Sequence, residues 1–126
     1  MSPVDPLIAE AMRKAAVAWL AVDQRPPFAV WCAWRDDALY VVSGPGEQRA
    51  PGLAGARTAT VSARGDHGGL IVSFPAAVER VEPGGAEWDV VAPALAAQRL
   101  NGAPDTADRW ARGCVISRLV PVGITR

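Results

Sequence analysis

The chain has 126 residues, 50% hydrophobic and 21% charged, the balance of one ordinary globular domain rather than a disordered segment. Its 13 basic and 13 acidic residues cancel, which excludes a general attraction to nucleic acid or anionic lipid and makes any anion site a local one. No apolar run approaches the roughly 20 residues of a bilayer-spanning helix, and residues 1–14 lack the apolar core of a secretory signal, so the expectation is a single cytoplasmic domain over 1–126.

Pro3-Val4-Asp5-Pro6 is a helix start, with Asp5 as cap and proline in the first turn. Leu7, Ile8, Met12 and Ala15 or Ala16 fall on one face, predicting a helix over about 5–16. Val17–Val22 is β-branched and aromatic and is stopped by Asp23-Gln24-Arg25-Pro26-Pro27. Phe28–Trp34 is apolar on both parities, so this second strand is expected to be covered on both faces, by the barrel core on one and by a helix or a second subunit on the other. Arg35-Asp36-Asp37 turns the chain into a third strand, Ala38–Val42, and the short turns make neighbouring antiparallel pairing the default.

Ser43-Gly44-Pro45-Gly46 interrupts the pattern, and Glu47–Ala54 reads as a short helix broken near Pro51-Gly52. Arg57–Ala63 is a fourth strand, Arg64-Gly65-Asp66-His67-Gly68-Gly69 a hairpin loop, and Leu70–Val81 a fifth strand in which Pro75 marks a bulge or an edge. A helical segment follows from Glu87 to Leu100, with Pro93 predicting a kink or two helices and Asn101-Gly102 a stop. Pro104–Trp110 is a further short helix starting near Asp105 or Thr106, and Cys114–Val122 is the closing strand. About six strands with helices inserted at defined points predict a mainly β domain, a small closed or partly closed antiparallel barrel with short flanking helices.

The chemistry is sparse. Glycines at a strand-to-helix junction free backbone N–H groups to face an anion, and in Ser43–Arg49 they are joined by a hydroxyl and a guanidinium fork. No Gly-Lys-Ser/Thr follows, so this is not a P-loop, and no βαβ context makes it a dinucleotide fingerprint. His67 is the single histidine and has no partners at metal-ligand spacing, so no metal site is expected and no Ser/His/Asp or Cys/His set can form. Arg64-Gly65-Asp66 and Asp36-Asp37 read as turn chemistry. Cys32 and Cys114 sit in apolar strands and are expected to be reduced and buried. Of the five tryptophans, Trp31 or Trp88 could stack on a planar ring at a cleft, with packing the default for all of them.

Taken together, Trp19–Val22, a turn, the strand from Pro27 to Trp34, then Asp37–Ser43 followed by a basic short helix resemble the pyridoxamine 5′-phosphate oxidase-like superfamily. These are FMN-binding split barrels that include small flavin- or F420-dependent reductases, and the likeness covers roughly residues 7–82 and extends to the closing strand. It implies a six-stranded split barrel, a homodimer without nucleic-acid or membrane partners, and FMN or F420 held in clefts between subunits. Carried over, Ser43 and Arg49 become phosphate ligands, while backbone of Ala29–Trp31 (Val30 included) and Thr58–Val61 (Thr60 included) lines the ring. Glu47 departs from the pattern, standing where a second basic residue is common, and a carboxylate there repels a dianion unless it turns away or pairs with an arginine. The first hairpin has Asp23-Gln24-Arg25-Pro26-Pro27 in place of the usual Asp-Gly-x-Pro. The chain is also shorter than true pyridoxamine phosphate oxidases, so vitamin B6 oxidation is not the expected activity. Two functions follow: an FMN- or F420-dependent oxidoreductase, or a non-catalytic ligand-binding barrel whose phosphate site is weakened by Glu47.

Overall fold

The computed structural model describes residues 5–64, 70–98 and 105–122. Helix α1 runs over Pro6–Lys14 as the sequence implies, with the Leu7 N–H donating to Asp5 Oδ1 at 2.9 Å, and it buries Ile8 and Met12. Seven antiparallel strands follow: β1 (Val17–Ala21), β2 (Phe28–Trp31), β3 (Ala33–Arg35), β4 (Ala38–Ser43), β5 (Thr58–Arg64), β6 (Leu70–Val81) and β7 (Val115–Pro121). Helices α2 (Ala86–Gln98) and α3 (Thr106–Gly113) lie between β6 and β7.

The sheet order is β2-β1-β5-β6-β7-β4-β3, so its two ends are β2 and β3, which are neighbours in the chain. The expected single strand 28–34 therefore divides at Cys32. Before it, Phe28 to Trp31 pair with Leu20 to Val17; after it, Ala33 to Arg35 pair with Tyr40 to Ala38. One strand changing partners midway is what curls the sheet into a nearly closed barrel, and it turns the six strands of the sequence into seven.

Two apolar cores follow from the alternation of side chains. The barrel interior holds Leu20, Val30, Leu39, Val41, Val61, Phe74 and Leu119, with Ile8 and Met12 added by α1. Outside the wall, Tyr40, Val42, Val81 and Ile116 meet Trp88, Val91, Leu95 and Trp110 of α2 and α3. Within one chain the strand buried on both faces is thus β4, every residue of which is buried, whereas β2 leaves Ala29 uncovered by any helix. The helices sit over β4, Trp31 of β2 packs against the edge of this outer core, and Ala29 on the same face of β2 is left exposed, which the apolar pattern of 28–34 could not reveal.

Three local expectations are sharpened. Residues 86–98 form one helix through Pro93, which sets aside the two-helix alternative. Pro75 takes the edge alternative, since it sits where β6 still lacks β7, whose pairing begins at Ala76, and the register shift in the β5–β6 ladder lies between Ala63 and Arg64. The segment 47–54 contains only a 3-10 turn, Leu53–Gly55. His67, the Gly65–Gly69 part of the hairpin, Asn101-Gly102 and Pro3-Val4 lie outside the described residues. Among the described residues no helix is long and apolar enough to cross a membrane.

A polar staple joins α2 to the sheet. Tyr40 Oη donates to Glu87 Oε2 and accepts from Arg118 Nε, both at 3.2 Å, and Arg118 Nη1 donates to Glu79 Oε1 at 2.7 Å. Burial raises the Tyr40 pKa above its ordinary 10.0, against the lowering effect of Arg118. Both cysteines are buried, and burial pushes the Cys32 thiol up from 9.0 to about 12. Both groups stay protonated in the folded chain while the unfolded chain ionises, so their stabilisation is complete below the unfolded values and declines as pH rises. Unfolding free energy, followed by urea titration, is expected to fall from about pH 9 towards pH 12 on account of these two groups. Tyr40 is the single tyrosine, so the midpoint of the native protein's tyrosinate absorbance titration should lie above 10.0. A midpoint at or below that value would contradict the buried staple.

Candidate functional site

The glycine loop leaves the end of β4 and is tied back on itself. The Glu47 N–H donates to the Gly44 carbonyl at 2.9 Å, the Gly44 N–H donates to the Gln48 carbonyl at 3.2 Å, and Ser43 bridges to Gln48. Gly44 has φ 137°, and a Cβ there would lie 3.0 Å from both the Cys114 Cα and the Gly113 carbonyl, so glycine is needed for backbone conformation and for close packing. Gly46, at φ 79°, completes the turn. No α-helix follows, so a long helix dipole contributes nothing here and the expected helix N-terminus is corrected to a compact loop. Pro51 and Gly52 (φ 78°) explain this, since both disfavour an α-helix.

Gln48 was given no role by the sequence, yet it anchors the loop. Its Oε1 accepts from the Trp31 N–H at 2.7 Å, and its Nε2 donates to the carbonyls of Trp31 at 2.9 Å and Val42 at 3.1 Å. The carboxamide thereby acts as a piece of strand in the gap where β2 leaves the path that β3 takes beside β4. Nothing in the local pattern marks this residue, because its role depends on the strand dividing at Cys32.

Glu47 turns inward. Its side chain is 0% exposed, and Oε2 accepts from Arg109 Nη2 and from Trp110 Nε1, each at 3.0 Å. The condition under which this carboxylate would not repel an anion is met: it points away and pairs with an arginine from α3. Its cation is 40% exposed, so the pair is only partly desolvated and its net charge is zero. Trp110, fully buried, combines core packing with this hydrogen bond, and Trp88 is core as well.

A cleft of about 650 Å³ is lined by Ser43 to Pro51. Of the residues proposed from the sequence, Ser43 and Arg49 line it together; Ser43 is buried and Arg49 is exposed without a carboxylate partner among the described residues. Trp31 is half-buried and joins the site through the Gln48 amide. Val30 points into the barrel core, so its backbone alone could meet a ligand. Thr60 lies on the exposed face of β5, paired with Ala21 and Pro75, and is not part of the cleft lining. Among the described residues there is no group of three His, Cys, Asp or Glu side chains able to hold a metal ion.

A nearly closed antiparallel barrel, with a strand that divides between the two sheet ends and a glycine loop beside the division, defines the split-barrel class. The chain shares this split-barrel fold with solved structures that include proposed pyridoxamine 5′-phosphate oxidases. It is similar to HutZ, the heme storage protein from Vibrio cholerae, with TM-score 0.65 and 16% identity over 97% of this chain and 92% of that one. A proposed pyridoxamine 5′-phosphate oxidase from Listeria innocua gives 0.63 and 15% identity over 92% and 91%. An F420 reductase gives 0.56 and 16% identity over 90% and 92%. No protein-family model and no curated protein matches the chain.

Replacing Gln48 by alanine should leave three strand-end groups without this partner. The expected cost is about 2 kcal/mol, read by urea unfolding. A change within about 0.3 kcal/mol would mean that the carboxamide does not hold the loop to the barrel.

Proposed function

We propose that this chain is a flavin-type oxidoreductase of the split-barrel class, a homodimer that takes FMN or F420 at the cleft between subunits. The observation that carries this reading is the Ser43–Arg49 loop: glycines at its turn, a buried serine at its base, an arginine without a carboxylate partner among the described residues, and a carboxylate neutralised from behind. Such a loop fits a phosphate, because Arg49 offers a planar fork and the Glu47 charge is cancelled by Arg109. Proteins of the same fold support the cofactor class, since one is an F420 reductase and another is proposed to act on a pyridoxamine phosphate.

The open outer face of the barrel supports the dimer. Val17 is 51% exposed, Ala29 is exposed beside it, and Trp19 and Trp31 are half-buried on the same two strands. Arg64 lies over the Trp19 ring at 4.3 Å, covering part of this apolar surface with a cation. A second copy would bury the remainder and bring Trp31 and the Ala29 backbone to a shared cleft. When bound, the cofactor carries the hydride. The chain's task is then to anchor the phosphate, orient the ring and exclude water, which agrees with the lack of an acid–base set among the described residues. A ligand-storing role is the second reading, and the heme storage protein of the same fold favours it.

Native mass spectrometry of the protein mixed with FMN, and separately with F420, tests the proposal. The expected result is a dimer retaining one of the two cofactors, which a chemical reductant bleaches and an electron acceptor restores. A monomer, or a dimer that retains neither, would overturn it; a retained cofactor that never turns over would favour storage.

A further inference from the structure

A phosphate dianion is held best by two positive charges, and the loop itself supplies one, Arg49. Arg109 is near, for a Cβ on Gly46 would lie 2.7 Å from its Nη1, but its charge is cancelled by Glu47 at 3.0 Å. The second charge must come from elsewhere in the fold.

Arg25 meets that need. It belongs to the hairpin between β1 and β2, whose turn is held by the Arg25 N–H donating to the Val22 carbonyl at 3.1 Å. Its side chain crosses to the far end of the loop segment. A Cβ on Gly52 would lie 2.8 Å from Arg25 Nε and 3.3 Å from its Cδ, so the stem and fork lie directly over this glycine. Arg25 stands at the rim, just outside the Ser43–Pro51 lining: Gly52 follows Pro51, the last lining residue, and is three residues from Arg49, a Cα separation of at most about 11 Å. Arg25 is exposed and, like Arg49, forms no ion pair with a described carboxylate. The absence of a side chain at Gly52 is what admits the guanidinium. Arg25 is also a residue of the turn in which this sequence departs from the Asp-Gly-x-Pro pattern of the proteins it resembles.

We propose that Arg25 is the second anion-binding residue of the cleft, so that a phosphate dianion is held between the guanidiniums of Arg25 and Arg49. This rests on the phosphate-binding role assigned to the loop above. It places the specificity for charge partly on the first hairpin, which would close on the loop as the anion binds.

The test follows the arginine Nε–H signals by NMR during titration with inorganic phosphate, at a pH where the dianion prevails. Arg25 and Arg49 are expected to shift along one binding curve, while Arg109, tied to Glu47, stays in place. Arg25→Gln should weaken phosphate binding about tenfold and Arg25→Lys by less, whereas Arg13→Gln, on an exposed position of α1, should leave it unchanged. A shift of Arg49 alone, or an Arg25→Gln protein that binds phosphate as before, would overturn the inference. So would a protein in which phosphate moves neither arginine, and that result would remove the anion site as well. Phosphate bound by both arginines with no binding of FMN or F420 would uphold Arg25 and overturn only the flavin reading.

Discussion

The Gln48 carboxamide is the interaction on which the site depends. A strand that pairs with β1 through Trp31 and with β4 from Ala33 must part from one neighbour before it reaches the other. The parting leaves main-chain donors and acceptors facing a gap, and these are costly to leave unsatisfied in a protein interior. Gln48 fills the gap from the side, reaching Trp31 and Val42 at once. The same contact that repairs the barrel therefore fixes the loop that precedes and follows Gln48, and closure of the fold and placement of the site are one event.

Charge is arranged around that anchor with the same economy of parts. Glu47 and Gln48 are adjacent and point to different structures, the first to α3 and the second to the divided strand. Between them they hold the loop from two directions, and Arg49, next in the chain, is left facing solvent. The outer core built by α2 and α3 over β4 is what brings Arg109 and Trp110 to Glu47, so packing remote from the cleft determines its electrostatics. The Tyr40–Arg118–Glu87 staple holds α2 to the same face of the sheet.

Much of this was legible in the residues, for identifiable reasons. Alternating apolar positions gave the strands, Asp5-Pro6 gave the start of α1, and Gly44 and Gly46 marked a loop in which positive φ is needed. Short turns gave the antiparallel neighbours. What could not be read were partnerships over long separations: Glu47 with Arg109, Gln48 with Trp31, Arg25 with Gly52. Each joins segments that only the closed barrel brings together. The division at Cys32 was hidden for a related reason, since an unbroken apolar run carries no sign of where a strand exchanges one neighbour for another. Pro93 left a kink and two helices as alternatives, and α2 runs through it as one helix, while at 47–54 the breakers Pro51 and Gly52 prevail over the short helix expected there.

The central claim is that the Ser43–Arg49 loop binds a phosphate of a flavin-like cofactor, and the most direct measurement compares ligands that differ by that phosphate alone. Isothermal titration with FMN and with riboflavin reads the difference, in the native chain and in Arg49→Gln. FMN is expected to bind the native chain at least about tenfold more tightly than riboflavin, with a much smaller difference in Arg49→Gln and riboflavin affinity preserved. Equal affinities for FMN and riboflavin in the native chain would contradict it.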